Sequence, residues 1–427
     1  MNVVTLLFGT FGLMLLLGAP ITLALGVASM SALYFLGNDL VYLVQVAYTS
    51  VDSFPIMALP AFILAGALME YSGISKRLVN VAEALAGPAT GGLASATVLA
   101  CLFFGAISGS GPATTAAVGM LMIPAMIRRN YDKGYASAIT ASSGGLGVVI
   151  PPSIPMVIYG VSGNQSIAKL FIAGFVPGII IAGGLMAVNY HLCRKKGYTG
   201  SGHKWSIGVL GKAIKDGVWS MLAPVVILGG IYTGFFTPTE AAVVAIFYTL
   251  FVGIFIHKEL HWNGCAKSLE ACTWLTGRVL LIMFTARAFG RLLVQYRIPE
   301  IIANALLAMT SNVYIILALI IAFLIFVGMF METLATIMIL TPVLLPVVTK
   351  LGVDPIHFGI ILVCCCEIGF ETPPLGENLF IASGIADTSI EDISLKAIPF
   401  SIVEISSVFL IAYVPEISLW LPRVLGY

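Results

Sequence analysis

The sequence predicts an all-α polytopic membrane protein built from inverted-topology repeats, each holding one re-entrant hairpin and one broken helix. Three observations predict it. The chain has 427 residues, of which 59% are hydrophobic and 10% charged, with a mean hydropathy of +1.03. Soluble domains carry about 25% charged residues, and none could hide this much apolar surface. The apolar runs exceed the roughly ten-residue alternating strands of a membrane barrel. Several runs are interrupted by glycine, serine and proline at membrane depth, where irregular backbone survives only if buried in protein or lining a cavity. Finally, the interruptions recur in the same order in both halves.

A spanning helix needs about 20 apolar residues. Residues 3–36 form one apolar run broken at Gly18-Ala19-Pro20, which reads as two short passes or one long bent one. The start lacks a basic region and a cleavage site, so it reads as part of the mature membrane domain. A span at 54–71 precedes a polar stretch with Lys76 and Arg77. Residues 92–106 and 112–127 are short apolar pieces separated by GAISGSGPATT at 105–115, with two serines, three glycines and a proline. They read as a hairpin over 92–127 with its tip at 108–112. The segment 135–160 is broken at Gly144-Gly145-Leu146-Gly147 and at Pro151-Pro152. A span at 166–193 leads to the basic stretch 194–215, which carries Arg194, Lys195, Lys196, Lys204, Lys212 and Lys215. The second half reads as 217–236, 238–257, 269–293, a hairpin over 312–349, a broken helix over 356–383, and 398–424.

A shift of 222 residues places Thr114 on Thr336, Pro124 on Pro346, Asp132 on Asp354, Gly147 on Gly369, and Pro151-Pro152 on Pro373-Pro374. The tip Ser108-Gly109-Ser110 falls on Phe330-Met331-Glu332. Hairpin, loop and proline break in one order is the signature of an internal repeat. The division is 1–200 for the first repeat, 201–216 for a linker, and 217–427 for the second. Positive-inside counting puts the basic linker and 128–133 in the cytoplasm. A re-entrant hairpin keeps 72–90 on that side, and the second-half counterparts of 72–90 and 128–133, 294–310 and 350–355, carry only Arg297 and Lys350, which puts them on the periplasmic side. Opposite topology with paired discontinuous segments points to a secondary transporter whose site lies at the breaks.

A broken helix frees carbonyls at one end and N–H groups at the other, suited to a dehydrated Na⁺ and to a carboxylate respectively. One Na⁺ site combines Ser108 and Ser110 with Gly147, Ile150 and Ser153. The repeat-related site combines Gly328 and Thr333 with Gly369 and Thr372. Most of these act through backbone carbonyls. The alternative is that the glycines only let helices approach closely, but proline pairs break helices rather than pack them. Ser108, Ser110, Ser153, Glu332 and Asn378 are candidate substrate contacts.

Intramembrane charges default to functional hypotheses. Glu332 at a tip either faces substrate or caps the tip. Glu371 and Glu377 either take part in the site or bond loop amides. Arg287 and Arg291, four apart on one helix face, either meet an anionic substrate, pair with a carboxylate, or snorkel. Glu240, behind Thr237-Pro238, reads as a cap. The seven cysteines lie in or beside apolar runs without C-x-x-C spacing and read as small packing residues. The histidines show no ligand spacing.

SGSGPATTAAVG, IPPSIPMVIYG, GFFTPTEAA and ETPPLGENLFIASG resemble the signatures of the large membrane subunit, DctM/SiaM type, of tripartite ATP-independent periplasmic (TRAP) transporters. The resemblance covers essentially the whole chain. It implies a Na⁺-driven elevator importer of an organic acid (C4-dicarboxylate, sialic acid or another sugar acid) in the bacterial inner membrane. It also implies a small four-helix membrane subunit, here expected on a separate polypeptide, and a periplasmic substrate-binding protein. Glu371 and Glu377 make the Pro-Pro-x-Gly loop more acidic than the family pattern leads one to expect.

The rival reading is a Na⁺/dicarboxylate symporter of the same architecture that needs no binding protein. An enzyme is disfavoured: there is no HExxH, no facing catalytic aspartate pair and no serine–histidine dyad. No selectivity filter supports a channel, no phosphate-binding loop supports a pump, and a net charge of +1 gives no reason to expect nucleic acid.

Overall fold

The computed structural model describes residues 3–37, 39–200, 205–310 and 312–427, and no strand occurs among them. Part of the expected linker, 201–204 with Lys204, lies outside the described residues.

The first apolar run resolves into two helices, α1 (Val3–Leu16) and α2 (Ile21–Phe35), which pack on each other. Pro20 at the start of α2 cannot extend α1, because it lacks the N–H that a helix interior needs. Next come α3 (Val41–Val51), α4 (Ala58–Tyr71) and α5 (Ile74–Ala86). The sequence reads as a loop without Lys or Arg where α3 lies and as a polar stretch where α5 lies. In α5, Ile74, Leu78, Val81 and Ala82 are buried while Lys76 and Asn80 face out, which is the 3.6-residue period of an amphipathic helix.

The first hairpin is α6 (Gly92–Ser108) and α7 (Gly111–Arg128), turning at Gly109 in the left-handed region. The first broken segment is α8 (Lys133–Gly144), the short α9 (Leu146–Val149) and α10 (Ile154–Ser162), bent by 41°. Two long helices follow, α11 (Ile167–Lys196) and α12 (Ile207–Tyr232), then α13 (Pro238–Phe251). Thr237 and Glu240 form a reciprocal capping box at the start of α13, so Glu240 has the structural role expected of it.

Helix α14 (Trp262–Gln295) has 34 residues, about 51 Å at 1.5 Å per residue. It turns by 61° into α15 (Ile298–Met309), which sequence reading left as a loop. The second hairpin is α16 (Val313–Gly328) and α17 (Thr333–Lys350). The second broken segment is α18 (Pro355–Phe370) and α19 (Glu377–Ala386). The expected last span divides into α20 (Ile390–Tyr413) and α21 (Glu416–Val424). The helices of the first hairpin run to 17 and 18 residues, longer than the pieces 92–106 and 112–127 expected, and those of the second have 16 and 18. Among the described residues, six helices are long and apolar enough to cross a bilayer alone, α17 among them, and bent pairs raise this to eight.

The hairpins and broken segments exchange partners. Helix α7 packs on α19, and α17 packs on α10, so each hairpin leans on the distal piece of the other half's break. Asp132 and Asp354, related by the 222-residue shift, both cap the next helix. Asp132 accepts from Tyr135 N at 2.9 Å and Asp354 from Ile356 N at 2.8 Å. Around this centre, α14 packs against α2, α3, α4 and α17. Phe247, Phe251, Phe255, Trp262 and Trp274 on the outer helices are exposed, as lipid-facing side chains are.

Candidate functional site

Each hairpin tip docks on a break through one backbone hydrogen bond. Ile154 N donates to Gly109 O at 3.1 Å, and Leu375 N donates to Met329 O at 3.1 Å. Each donor lies just past a cis proline pair, Pro151-Pro152 or Pro373-Pro374. Behind each tip, two glycines let backbones touch. A methyl group on Gly105 would sit 2.8 Å from the Gly147 Cα, and one on Gly369 would sit 3.0 Å from the Gly328 Cα. Both lie well inside ordinary carbon–carbon contact of about 3.5–4.0 Å.

The tips are held alike. Thr114 Oγ1 donates back to Ser110 O at 2.7 Å, and Thr336 Oγ1 donates to Glu332 O at 3.0 Å. The first tip has a second hydroxyl, Ser108 Oγ, 2.8 Å from Thr114 Oγ1. Ser153 caps α10 and donates to Val148 O at 2.5 Å. Thr372 Oγ1 donates to Ile368 O at 2.7 Å. Ser153 and Thr372 each spend their single proton on a carbonyl, so their hydroxyl oxygens can act only as acceptors, and Ser153 Oγ already accepts from Met156 N.

The structure brings most expected site residues together. Ser110 O lies against Gly147, and Gly109 lies against Ser153. The Ile150 side chain packs on Gly178, leaving its carbonyl for the break. Gly328 abuts Gly369, with Thr372 beyond it. Between the tips lies a cavity of about 210 Å³, lined by Ser110, Arg278, Glu332, Thr333, Phe370 and Glu377 among others. Asn378 does not line it. Its Nδ2 donates to Ala141 O at 3.0 Å on α8, and its Oδ1 is buried without a partner.

Two features escaped sequence reading. Arg278 on α14 pairs with Glu332 at 3.1 Å and lies 5.6 Å from the Trp274 ring centre. Its signal was a cation in an apolar run, nine residues before Arg287. Glu404 on α20 is fully buried beside Glu371 and Glu367. Glu371 accepts from the Ser142 hydroxyl of α8 rather than from loop amides, and Glu367 rests on Gly145.

Two hairpin tips closed on two helix breaks around a shared cavity define a membrane carrier of discontinuous helices. The chain belongs to the DctM component family of tripartite ATP-independent periplasmic transporters, which matches residues 8–417. It is therefore a multi-pass permease of the bacterial inner membrane and not an enzyme. It is 45% identical over 415 residues to the isethionate TRAP transporter permease protein of Oleidesulfovibrio alaskensis. That alignment covers 97% of this chain and 65% of the relative, so this chain spans just under two thirds of that protein. It is 35% identical to the C4-dicarboxylate TRAP transporter large permease protein of Rhodobacter capsulatus, covering 99% of both chains. It is also 35% identical to the sialic acid TRAP transporter large permease protein of Vibrio cholerae, again covering 99% of both. In fold it is similar to the YdaH transporter of Alcanivorax borkumensis. The TM-score is 0.65 at 15% identity, covering 91% of this chain and 90% of that one.

Proposed function

We propose that the chain is the large subunit of a Na⁺-driven importer of a small organic acid, working as an elevator. The observation that carries this reading is the pairing of each tip with its own break around one cavity. Ser108, Ser110, Gly147, Ile150 and Ser153 supply oxygens for one Na⁺. Gly328, Thr333, Gly369 and Thr372 supply them for a second. The organic acid occupies the cavity between the tips, where Ser110 faces Glu332 and Arg278. Arg278 offers a carboxylate or sulfonate its charge-assisted hydrogen bonds. The glycine contacts suit this role, because they bring carbonyls within reach of a shared ion. The two repeats run in opposite directions through the bilayer, with 1–200 and 217–427 as the units and 201–216 a cytoplasmic linker of which 207–216 already belong to α12. Helices α12 to α15 belong to the stationary scaffold. The small four-helix subunit and a periplasmic binding protein complete the assembly.

The test is uptake into proteoliposomes holding this chain and its small subunit, with isethionate, succinate or N-acetylneuraminate outside. Uptake should require both an inward Na⁺ gradient and the binding protein. Uptake of free acid without the binding protein would establish the autonomous symporter instead. Uptake indifferent to replacement of Na⁺ by K⁺ would remove the coupling.

A further inference from the structure

A second cavity, of about 350 Å³, lies beside the tip cavity and plays no part in the site described above. Arg287, Arg291 and Gln295 of α14 line it, with Tyr42 of α3, Ser162 of α10 and Met338 of α17. Its size falls within the about 300–1,000 Å³ range of small-molecule sites. The same two helices frame both cavities. Ile154 of α10 and Thr333 of α17 line the tip cavity, while Ser162 and Met338 line this one. Five to eight residues along a helix is about 8–12 Å, so the two cavities are one to two turns apart.

Its charge is unbalanced. Arg287 Nη2 donates to Val161 O at 2.9 Å, which fixes the guanidinium, but the buried Nε has no partner. Neither Arg287 nor Arg291 has an ion-pair partner among the described residues. A guanidinium stays charged in a protein. Two of them a turn apart repel each other, and one is partly withdrawn from water. A bound anion offsets both penalties at once. Tyr42, Ser162 and Gln295 add neutral donors around the pair.

We propose that Arg287 and Arg291 form a waiting site for the organic anion, on the Ser162 side of the tip cavity. The site takes a carboxylate or sulfonate group through the two guanidinium forks. It holds that group one to two helical turns from the tips until α10 and α17 admit it. In the topology proposed above this is the periplasmic side. The inference rests on reading the chain as an organic-anion permease, but its test needs no transport.

Ser162→Cys is made in a Cys265→Ser background, because Cys265 is the cysteine that is not buried. Labelling rates are compared for sulfonatoethyl and trimethylammonioethyl methanethiosulfonate, which differ in charge. Each rate is divided by that of the same reagent at an exposed cysteine on the same side, Lys350→Cys, in the same medium, so that intrinsic thiolate reactivity and surface potential cancel. The comparison is made in maltoside micelles and in phosphatidylglycerol vesicles. The anionic reagent should react about tenfold faster in both media, as focusing by two fixed charges requires. Adding Arg291→Gln should bring the ratio close to one, and millimolar succinate or isethionate should slow the anionic reagent. Arg291 is exposed, so its substitution leaves the packing intact; Arg287→Gln is the second variant. A ratio near one in the parent overturns the proposal, as does a ratio unchanged by both substitutions. A preference seen in micelles but lost in vesicles assigns the arginines to lipid phosphate and also overturns it. If the ratio behaves as expected but no acid is taken up with the binding protein present, it is the permease reading that fails.

Discussion

Arg278 of the long helix α14 closes on Glu332 at the tip of the second hairpin, 3.1 Å away. The Glu332 side chain is 11% exposed and that of Arg278 42%. The carboxylate is therefore mostly withdrawn from water and relies on one cation. In the proposed elevator, α14 stays with the scaffold and the tip moves, so this pair is a latch between the two parts. Arg278→Ala and Glu332→Ala should each reduce uptake, and the double variant should lose less than the two together. The coupling should be about 1 kcal/mol, a factor of about five in kcat/KM. Strict additivity in the double-mutant cycle would show that the contact plays no part in transport.

The Na⁺ assignment is tested through hydroxyls. Ser108→Ala removes the hydroxyl that meets Thr114 Oγ1 at 2.8 Å, and Thr372→Ala removes one bonded to Ile368 O. Each deletes a neutral oxygen from a candidate shell while leaving the backbone carbonyls in place. The Na⁺ concentration for half-maximal uptake should rise several-fold in each, with the melting temperature in detergent nearly unchanged. Unaltered Na⁺ activation in both variants would refute the assignment.

Much of this arrangement was legible in the chain because glycine and proline punctuate it. Gly109 and both proline pairs mark places where a helix readily ends, and the structure breaks there, while Gly147 and Gly369 sit in the last helical turn before each break. The equivalence of Asp132 and Asp354 followed from the same 222-residue shift, and the structure shows both as helix caps. What the chain concealed depends on contacts between distant elements. Nothing local ties Arg278 to Glu332, or Ser142 to Glu371; those pairs exist only once α14 crosses the tip and α8 meets α18. Asn378 looked like a substrate contact because it follows a break, yet packing turns it toward Ala141 O. The missed helix α5 was a different error, since its apolar period was present but hidden among charged residues.

The opposed direction of the repeats is tested at two equivalent helix ends. Arg128 closes α7 and Lys350 closes α17, both exposed and separated by the repeat shift of 222. Single cysteines at these positions should react with a membrane-impermeant maleimide from opposite sides, Arg128→Cys from the cytoplasm and Lys350→Cys from the periplasm. Labelling of both from one side would mean that the halves are parallel and that the positive-inside argument misplaced one of them.

The glycine contact behind the first tip is the most sensitive position. A methyl group on Gly105 would come within 2.8 Å of the Gly147 Cα, and the obstacle is backbone rather than a flexible side chain. Either the tip or the break must shift, and overpacking of this kind costs about 1–3 kcal/mol. Such a shift moves Ser108 and Ser110 relative to Gly147, so it acts on the ion site as well as on stability. Gly105→Ala should lower the melting temperature and weaken Na⁺ activation together. The control is Gly183→Ala on α11, where an added methyl group meets nothing within 4 Å. There the loss of glycine's extra backbone freedom in a helix should stabilise slightly. If Gly105→Ala behaves like Gly183→Ala in both measurements, the tip does not depend on close contact with the break, and the carbonyls of Gly147 and Ile150 lose their claim to the ion.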